Sequence, residues 1–445
     1  MAHVLVKKLL LLGLCVIPFF SYSQSFKSAL YSSSLGVYAM GSMPSLLVDT
    51  DAKWDIQIAG AQFNFFNSDN SGQTLKKELI SSMLSSNPKN FFSVKSSNAF
   101  VEAQLALPSF SYALNENNVI GFSSSIRSFS YENNSGFSLF EIIQQVKENG
   151  SFTGGYLDEF MTMISNNWLE LGVSYSRNFR LNEDWSVQAG LSTKFLSGVA
   201  SGQIDLGGFD GNILNSRVEN LSASVSFIYN DEIDKILENG TGEIDLFSKN
   251  GYSLDFGLST KWKEKLTVAI SILDIGSIKY KSSQESSVYE IQSESVDLES
   301  FTEINSLNQL ADSIDSQVLV EGEEVNSFKT KLPMRIFLFG KYDLNKTFGI
   351  VGSMQVTRLS EGISQDRHHL IWDYNISPTV RIRKMTFCVP IGYSEFAGFR
   401  TGMGLQWRFL TIGSDNLLSY YFSNSDTRAM SIYCSFRLKV GRYNM

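Results

Sequence analysis

The sequence predicts an all-β chain folded as a transmembrane antiparallel β-barrel of about 14 strands, on three observations. Many segments of about ten residues alternate apolar and polar with period two. The connections between them alternate short and long. The composition is also unusual: of 445 residues 18% are charged and 13% aromatic, with 33 Phe and a mean hydropathy of −0.06. Charged residues fall below the ~25% of ordinary soluble domains. Lys plus Arg number 37 against 45 Asp plus Glu, a net charge of −8, so no basic field exists to hold nucleic acid.

The chain divides into three parts. Residues 1–23 form a signal peptide: Lys7 and Lys8 precede the apolar run Leu9 to Phe20, and Ser21-Tyr22-Ser23 supply small residues before Gln24. The apolar run is too short to span a membrane as a helix, which takes ~20 residues. Residues 24–53 are an N-terminal periplasmic or hatch segment, and 54–445 are the outer-membrane β-barrel. After processing only Cys388 and Cys434 remain, too few for a disulfide scaffold.

Within the barrel the alternation is explicit. Trp185, Val187, Ala189, Leu191, Thr193 and Phe195 interleave with small and polar residues, and Tyr252, Leu254, Phe256, Leu258, Thr260 and Trp262 do the same. So do Phe399 to Phe409 and Ile432 to Val440. Strands read from 54–65 through 399–410, 417–423 and 428–440 total fourteen. Every second connection is short: Asn115-Glu116-Asn117, Leu181-Asn182-Glu183, Lys263-Glu264, Leu344-Asn345, Arg383-Lys384 and the stretch around Gly413 to Asn416. Short turns on one side and long loops on the other match periplasmic turns and extracellular loops, and an even count returns both termini to the periplasm. Closure follows because lipid cannot satisfy an exposed strand edge.

The segment Leu221 to Tyr229 also alternates, but as a spanning strand it would invert the sorting downstream, so it is expected in an extracellular hairpin. Residues 74–86 and 137–148 have helical spacing and could serve as lids or plugs. Residues 281–330 carry eleven acids against Lys281 and Lys329, which reads as a solvated surface loop.

No constellation for catalysis appears, and the expectation is no enzyme, with no catalytic, cofactor-binding or metal residue. His368 and His369 are adjacent in an expected loop; adjacent positions in extended backbone face opposite ways, so the two would not share a metal unless the loop is bent. Gly402 and Gly404 lie in a strand rather than before a helix, which a phosphate cradle requires. The wet faces place Glu170, Lys194, Asp255, Lys261, Arg400, Arg408, Arg437 and Lys439 toward the lumen, either filling it with ion pairs or lining a passage. Trp185, Trp262 and Trp407 are expected in the interfacial girdles. The expected partners are outer-membrane lipid and, during biogenesis, the barrel-assembly machinery.

The stretch Pro44 to Asp55, with Leu107 to Tyr112, Ile272 to Tyr280 and Ile412 to Leu418, resembles motifs of an uncharacterised family of Bacteroidetes-type outer-membrane barrels similar in architecture to FadL and PorV barrels. Where that family has Asn-Pro-Ala, this chain has Met43-Pro44-Ser45. The resemblance implies either a channel for small solutes, hydrophobic ones included, with the N-terminal segment as a hatch, or an accessory to protein secretion or surface assembly with secretion-system or surface proteins as partners. The alternative is a structural or adhesive barrel with a plugged lumen that binds a partner through its loops, and an outer-membrane hydrolase ranks last.

Overall fold

The computed structural model describes residues 34–67, 97–134, 146, 156–230, 250–283, 286–297, 319–361, 367–422 and 429–442. Period-two segments pair with their neighbours in chain order, and every ladder is antiparallel. β1 (Ala52–Asn67) pairs through Gly60–Asn67 with β2 (Ser97–Ala106) and through Trp54–Gln57 with β3 (Ser109–Asn115). These two pieces form one wall position, interrupted at Leu107-Pro108 because proline has no N–H to give a ladder. β4 (Asn118–Asn134), β5 (Tyr156–Arg180) and β6 (Trp185–Leu214) follow. The first half of β6 pairs with β8 (Asn250–Trp262), and its far half turns back as a hairpin into β7 (Arg217–Tyr229). Leu221 to Tyr229 thus stacks above β8 in one wall position.

β9 (Leu266–Lys281) pairs with β8, and beyond it β10 (Ser287–Asp297) pairs with β7 and β11 (Leu319–Glu324). β12 (Ser327–Lys331) and β13 (Met334–Asp343) share the next position against β9. β14 (Phe348–Glu361) and β15 (Arg367–Ile382) come next. β16 (Met385–Cys388) and β17 (Ile391–Ser394) are parted by Pro390, and β18 (Gly398–Thr401) and β19 (Met403–Trp407) by Gly402. β20 (Leu410–Ser414) precedes β21 (Ala429–Arg442), which pairs back onto β1 from Ala52 to Phe66. The result is a closed barrel of 14 wall positions.

The outer surface is apolar. On β8 the exposed Tyr252, Leu254, Phe256 and Leu258 lead down to Trp262. Ten residues of tilted strand make a band roughly 25 Å tall. Trp54, Trp185, Trp262 and Trp407 gather at the short-turn end, with Trp185 and Trp262 rings 6.2 Å apart.

Four expectations are corrected. The sixth short turn is Arg408-Phe409, not the stretch around Gly413, because Trp407 pairs with Leu410. Arg408 takes φ 49 there, so no glycine or asparagine advertised the turn and the alternation ran on through it. Leu417–Phe422 is a short helix, α1, rather than a strand. Within 281–330, the segments 287–297 and 319–324 are paired strands that carry the wall past the band, not a solvated loop. His368 and His369 sit in β15 opposite Ser360 and Leu359, not in a loop. The expected signal peptide 1–23, the segment 74–86 and all of 137–148 except the buried Val146 lie outside the described residues.

Candidate functional site

On β6 and β4 the inward residues change character in the same order from the short turns upward. On β6 they run Gln188, Gly190 and Ser192, then Lys194, then Leu196; on β4 they run Val119 and Gly121, then Arg127, then Phe129 and Tyr131. Stacked around the ring, these steps make three tiers.

The lowest tier holds the N-terminal segment. Residues Gly36–Gly41 and Pro44–Val48 form two turns of 3₁₀ helix inside the barrel, with Leu35, Val37, Met40, Met43, Leu46 and Leu47 buried. The wall makes room by backbone alone. A Cβ on Gly190 would fall closer than 3.0 Å to the backbone of Pro44 and Ser45, and one on Gly257 would stand 3.0 Å from the Ser45 nitrogen. Ser176 donates its hydroxyl to the Ser45 carbonyl at 2.7 Å.

Ion pairs hold the plug at its ends. Arg437 grips Asp55 through two nitrogens and donates to the Ser34 carbonyl at 2.9 Å, while Asp55 accepts the Val37 N–H at 3.0 Å. Lys261 meets Asp49 at 2.6 Å, and Lys439 meets both Asp51 and the Ser34 hydroxyl at 2.5 Å. Burial works against ionisation of Asp49, but the Lys261 and Lys341 ammonium groups prevail and hold its carboxyl below the usual range. Asp51 is lowered too, with Lys439 outweighing burial.

The middle tier is a buried charge cluster centred on Asp274. Its carboxylate accepts two bonds from Arg127 at 3.0 and 3.1 Å, two from Arg335 at 2.9 and 2.6 Å, and one from Lys194 at 2.9 Å. Lys194 also reaches Asp255 at 2.7 Å and Glu170 at 3.4 Å; Arg127 reaches Glu170 at 3.1 Å and Glu102 at 3.8 Å. A bulge makes this possible. The β8–β9 register shifts between Leu254 and Phe256, Asp274 takes φ 59, and both Leu273 and Asp274 turn inward. The Asp274 N–H then donates to Asp255 at 2.7 Å. Four carboxylates against three cations, all buried, fix the geometry more than they stabilise it, because desolvation opposes the Coulomb gain.

The upper tier is apolar. Phe66 stacks on Phe100 at 6.0 Å, Phe100 meets Phe129 edge-on at 5.4 Å, and Tyr280 stacks on Phe328 at 5.2 Å. Trp168, Leu196, Ile371, Phe396, Ala397 and Ala429 belong to the same cluster. The Arg127 guanidinium lies 5.0 Å from the Trp168 ring, so the middle tier is the floor of the upper one. Beside this tier the wall is discontinuous. β20 pairs with β21 only through Leu410–Gly413, and α1 then takes its place. Asn416 stands in for the missing strand: its amide donates to the Ala429 carbonyl and its oxygen accepts the Ser431 N–H at 3.0 Å. Thr401 N–H donates to the Ser419 hydroxyl at 2.7 Å.

Of the residues expected in the lumen, Glu170, Lys194 and Asp255 meet in the middle tier. Lys261, Arg437 and Lys439 hold the plug, and Arg400 pairs with Asp373 at 2.7 Å. Arg408 is corrected: it is exposed in the short turn after β19, since the strand ends at Trp407, two residues before the end of its alternation at Phe409. Asp274, Arg127, Arg335, Glu102, Asp55 and Asp373 were not anticipated.

Residues 44–415, from the plug's second turn through the bulge to the edge of α1, match a family described as a family of unknown function, DUF5723. The chain belongs to that family. No curated protein matches this DUF5723 member. Similar solved structures include the TodX deltaS2S3 mutant monoaromatic hydrocarbon channel, 11% identical, covering 92% of this chain and 96% of that one with a TM-score of 0.47. The Ralstonia pickettii toluene transporter TbuX is 9% identical, with coverage of 96% and 100% and a TM-score of 0.45. A Pseudomonas aeruginosa FadL homologue is 11% identical, with coverage of 94% and 98% and a TM-score of 0.41.

Proposed function

We propose that this DUF5723 barrel sits in the outer membrane, short turns toward the periplasm, and passes small hydrophobic solutes. The observation that carries the reading is the aromatic upper tier. Barrel interiors that pass ions or sugars are polar. Here Phe66, Phe100, Phe129, Trp168 and Phe328 face inward above a charged floor. An apolar solute gains free energy by leaving water for such a lining, about 25 cal/mol per Å² of surface covered. The charged floor and plug bar its direct descent, and the α1 stretch is where the wall beside it is joined by side chains instead of a ladder. The test is to extract the protein in mild detergent and identify co-purifying small molecules by mass spectrometry. An apolar molecule should be retained by the natural chain and lost from Ala397→Trp, which crowds the tier; retention of nothing apolar by either would sink the reading.

A second reading, a structural barrel closed by its plug, draws on the density of polar contacts that seat residues 34–50. In that case Ala397→Trp would leave every cellular property of the barrel unchanged.

A further inference from the structure

The short turns carry a feature that solute passage does not use. Each of them except Asn115 to Asn118 carries or adjoins an exposed base, including Arg180, Lys263, Lys346, Arg383 and Arg408. Apart from the Lys439–Asp51 pair, exposed bases outnumber the exposed acids there, which are Glu116, Glu183, Asp184 and Glu264. Asp184 engages Lys263 at 3.5 Å.

Two independent details say what the bases face. The first is their level and direction. Lys53 lies 5.8 Å from the Tyr112 ring, Arg177 5.1 Å from Phe179 and Lys263 5.3 Å from Trp262. Those rings belong to the outward aromatic belt, and Arg177 shares its exposed face with Val173, Tyr175 and Phe179. Aromatic belts of this kind lie at the headgroup level of a bilayer. The second is backbone conformation. Lys263, Arg383 and Arg408 take φ values of 49, 54 and 49, and Glu264 beside Lys263 takes 53, the left-handed region where glycine or asparagine sits with least strain. A turn selected only for turning would use those residues. Three of these four short-turn positions are held by bases, one in each of three separate turns, which points from the outlier to a use for the charge.

We infer that the short-turn rim binds the phosphate headgroups of anionic phospholipids in the adjoining leaflet. Guanidinium and ammonium groups donate to phosphate oxygens in charge-assisted bonds, and bases at a membrane surface attract anionic lipid. The belt rings anchor the same lipids by their acyl chains. An acidic periplasmic protein is the weaker fit, because Lys53 and Arg177 lie within the strands, beside the rings of the outward belt, rather than below it in the turns. The inference rests on the barrel spanning a membrane but not on what passes its lumen.

The test uses the full-length protein reconstituted in vesicles of phosphatidylethanolamine with a minor share of phosphatidylglycerol, then extracted gently and weighed with its retained lipids by native mass spectrometry. The natural chain should carry phosphatidylglycerol several-fold above its share in the vesicle. The variant K263N/R383N/R408N places asparagine where left-handed backbone suits it, so the turns are kept while the charge goes; its lipids should approach the bulk ratio, and R177Q should lower the preference further. Heat-modifiable migration on a gel verifies that each barrel is assembled. Retention at the bulk ratio by the natural chain, or an unchanged preference in the triple variant, overturns the inference. So does a triple variant that keeps its lipids but loses binding to polyglutamate, which would assign the rim to an acidic polypeptide. Failure to enter vesicles at all would instead sink the membrane reading.

Discussion

Gly190 in the wall and Pro44 in the plug meet backbone to backbone, with no space for even a methyl group between them. Gly190→Val therefore cannot coexist with a seated plug. Overpacking of this kind costs about 1 to 3 kcal/mol, which the plug can avoid by leaving its seat. The variant should assemble as a barrel but show larger conductance in planar bilayers, and residues 35–48 should become accessible to protease. Unchanged conductance would mean that the wall, not the plug, gives way.

Asp274 accepts bonds from Arg127, Lys194 and Arg335. Asp274→Asn leaves those cations short of a buried countercharge, so the barrel should lose about 3 to 5 kcal/mol against urea. Adding Arg335→Met should recover part of the loss. A double variant as unstable as the sum of its parts would show that the two residues do not act as a unit.

The plug should respond to acid. The folded Asp49 carboxyl ionises at lower pH than its ordinary 3.8 because Lys261 and Lys341 outweigh its burial. Its pairing therefore stabilises the seated plug in full above that value and is lost as pH falls through the lower folded one. Protection of residues 35–49 from hydrogen exchange, taken relative to the intrinsic rate at each pH, should be high at neutral pH and fall only as the pH drops below the ordinary carboxyl value of 3.8. In Asp49→Asn exchange should be faster at neutral pH and less sensitive to acid.

On the β21 side of α1 the wall is joined through the Asn416 side chain. Asn416 satisfies the Ala429 carbonyl and the Ser431 N–H, and Asn416→Ala leaves both without that partner. The cost is about 1 to 3 kcal/mol for each group left unsatisfied. Exchange of the Ser431 amide should rise well above that of Ser435, which lies where β20 still pairs with β21.

Much of the wall was legible because an apolar outer face and an enclosed lumen impose a strict period of two. Tyr252 to Trp262 could be assigned face by face from residue types alone. The charge cluster was legible only in part. Glu170, Lys194 and Asp255 follow their strands' alternation, but Asp274 shares parity with Ile270 and Ile272, which are exposed on the outer face. An acid on that face is intolerable in hydrocarbon, so the parity conflict in Ile272-Leu273-Asp274-Ile275 was itself the trace of a bulge. Arg127 and Arg335 obey the alternation and could have been found by it. The turn at Arg408 left no trace, since its strained residue is a base and the flanking alternation matches on both sides. The plug was invisible as structure: Gly36 to Val48 has neither a helical nor a strand period, and its shape is imposed by the glycine-lined wall around it.

The central claim is that a hydrophobic solute enters through the aromatic tier. The direct measurement is uptake of a labelled monoaromatic and a labelled long-chain alkyl solute by cells whose outer leaflet is intact, comparing the natural chain, Ala397→Trp and a strain without the protein. Uptake of at least one solute should be faster with the natural chain, and Ala397→Trp, assembled to the same level, should fall to the rate of the strain without the protein. Equal uptake of both solutes in all three would contradict the account.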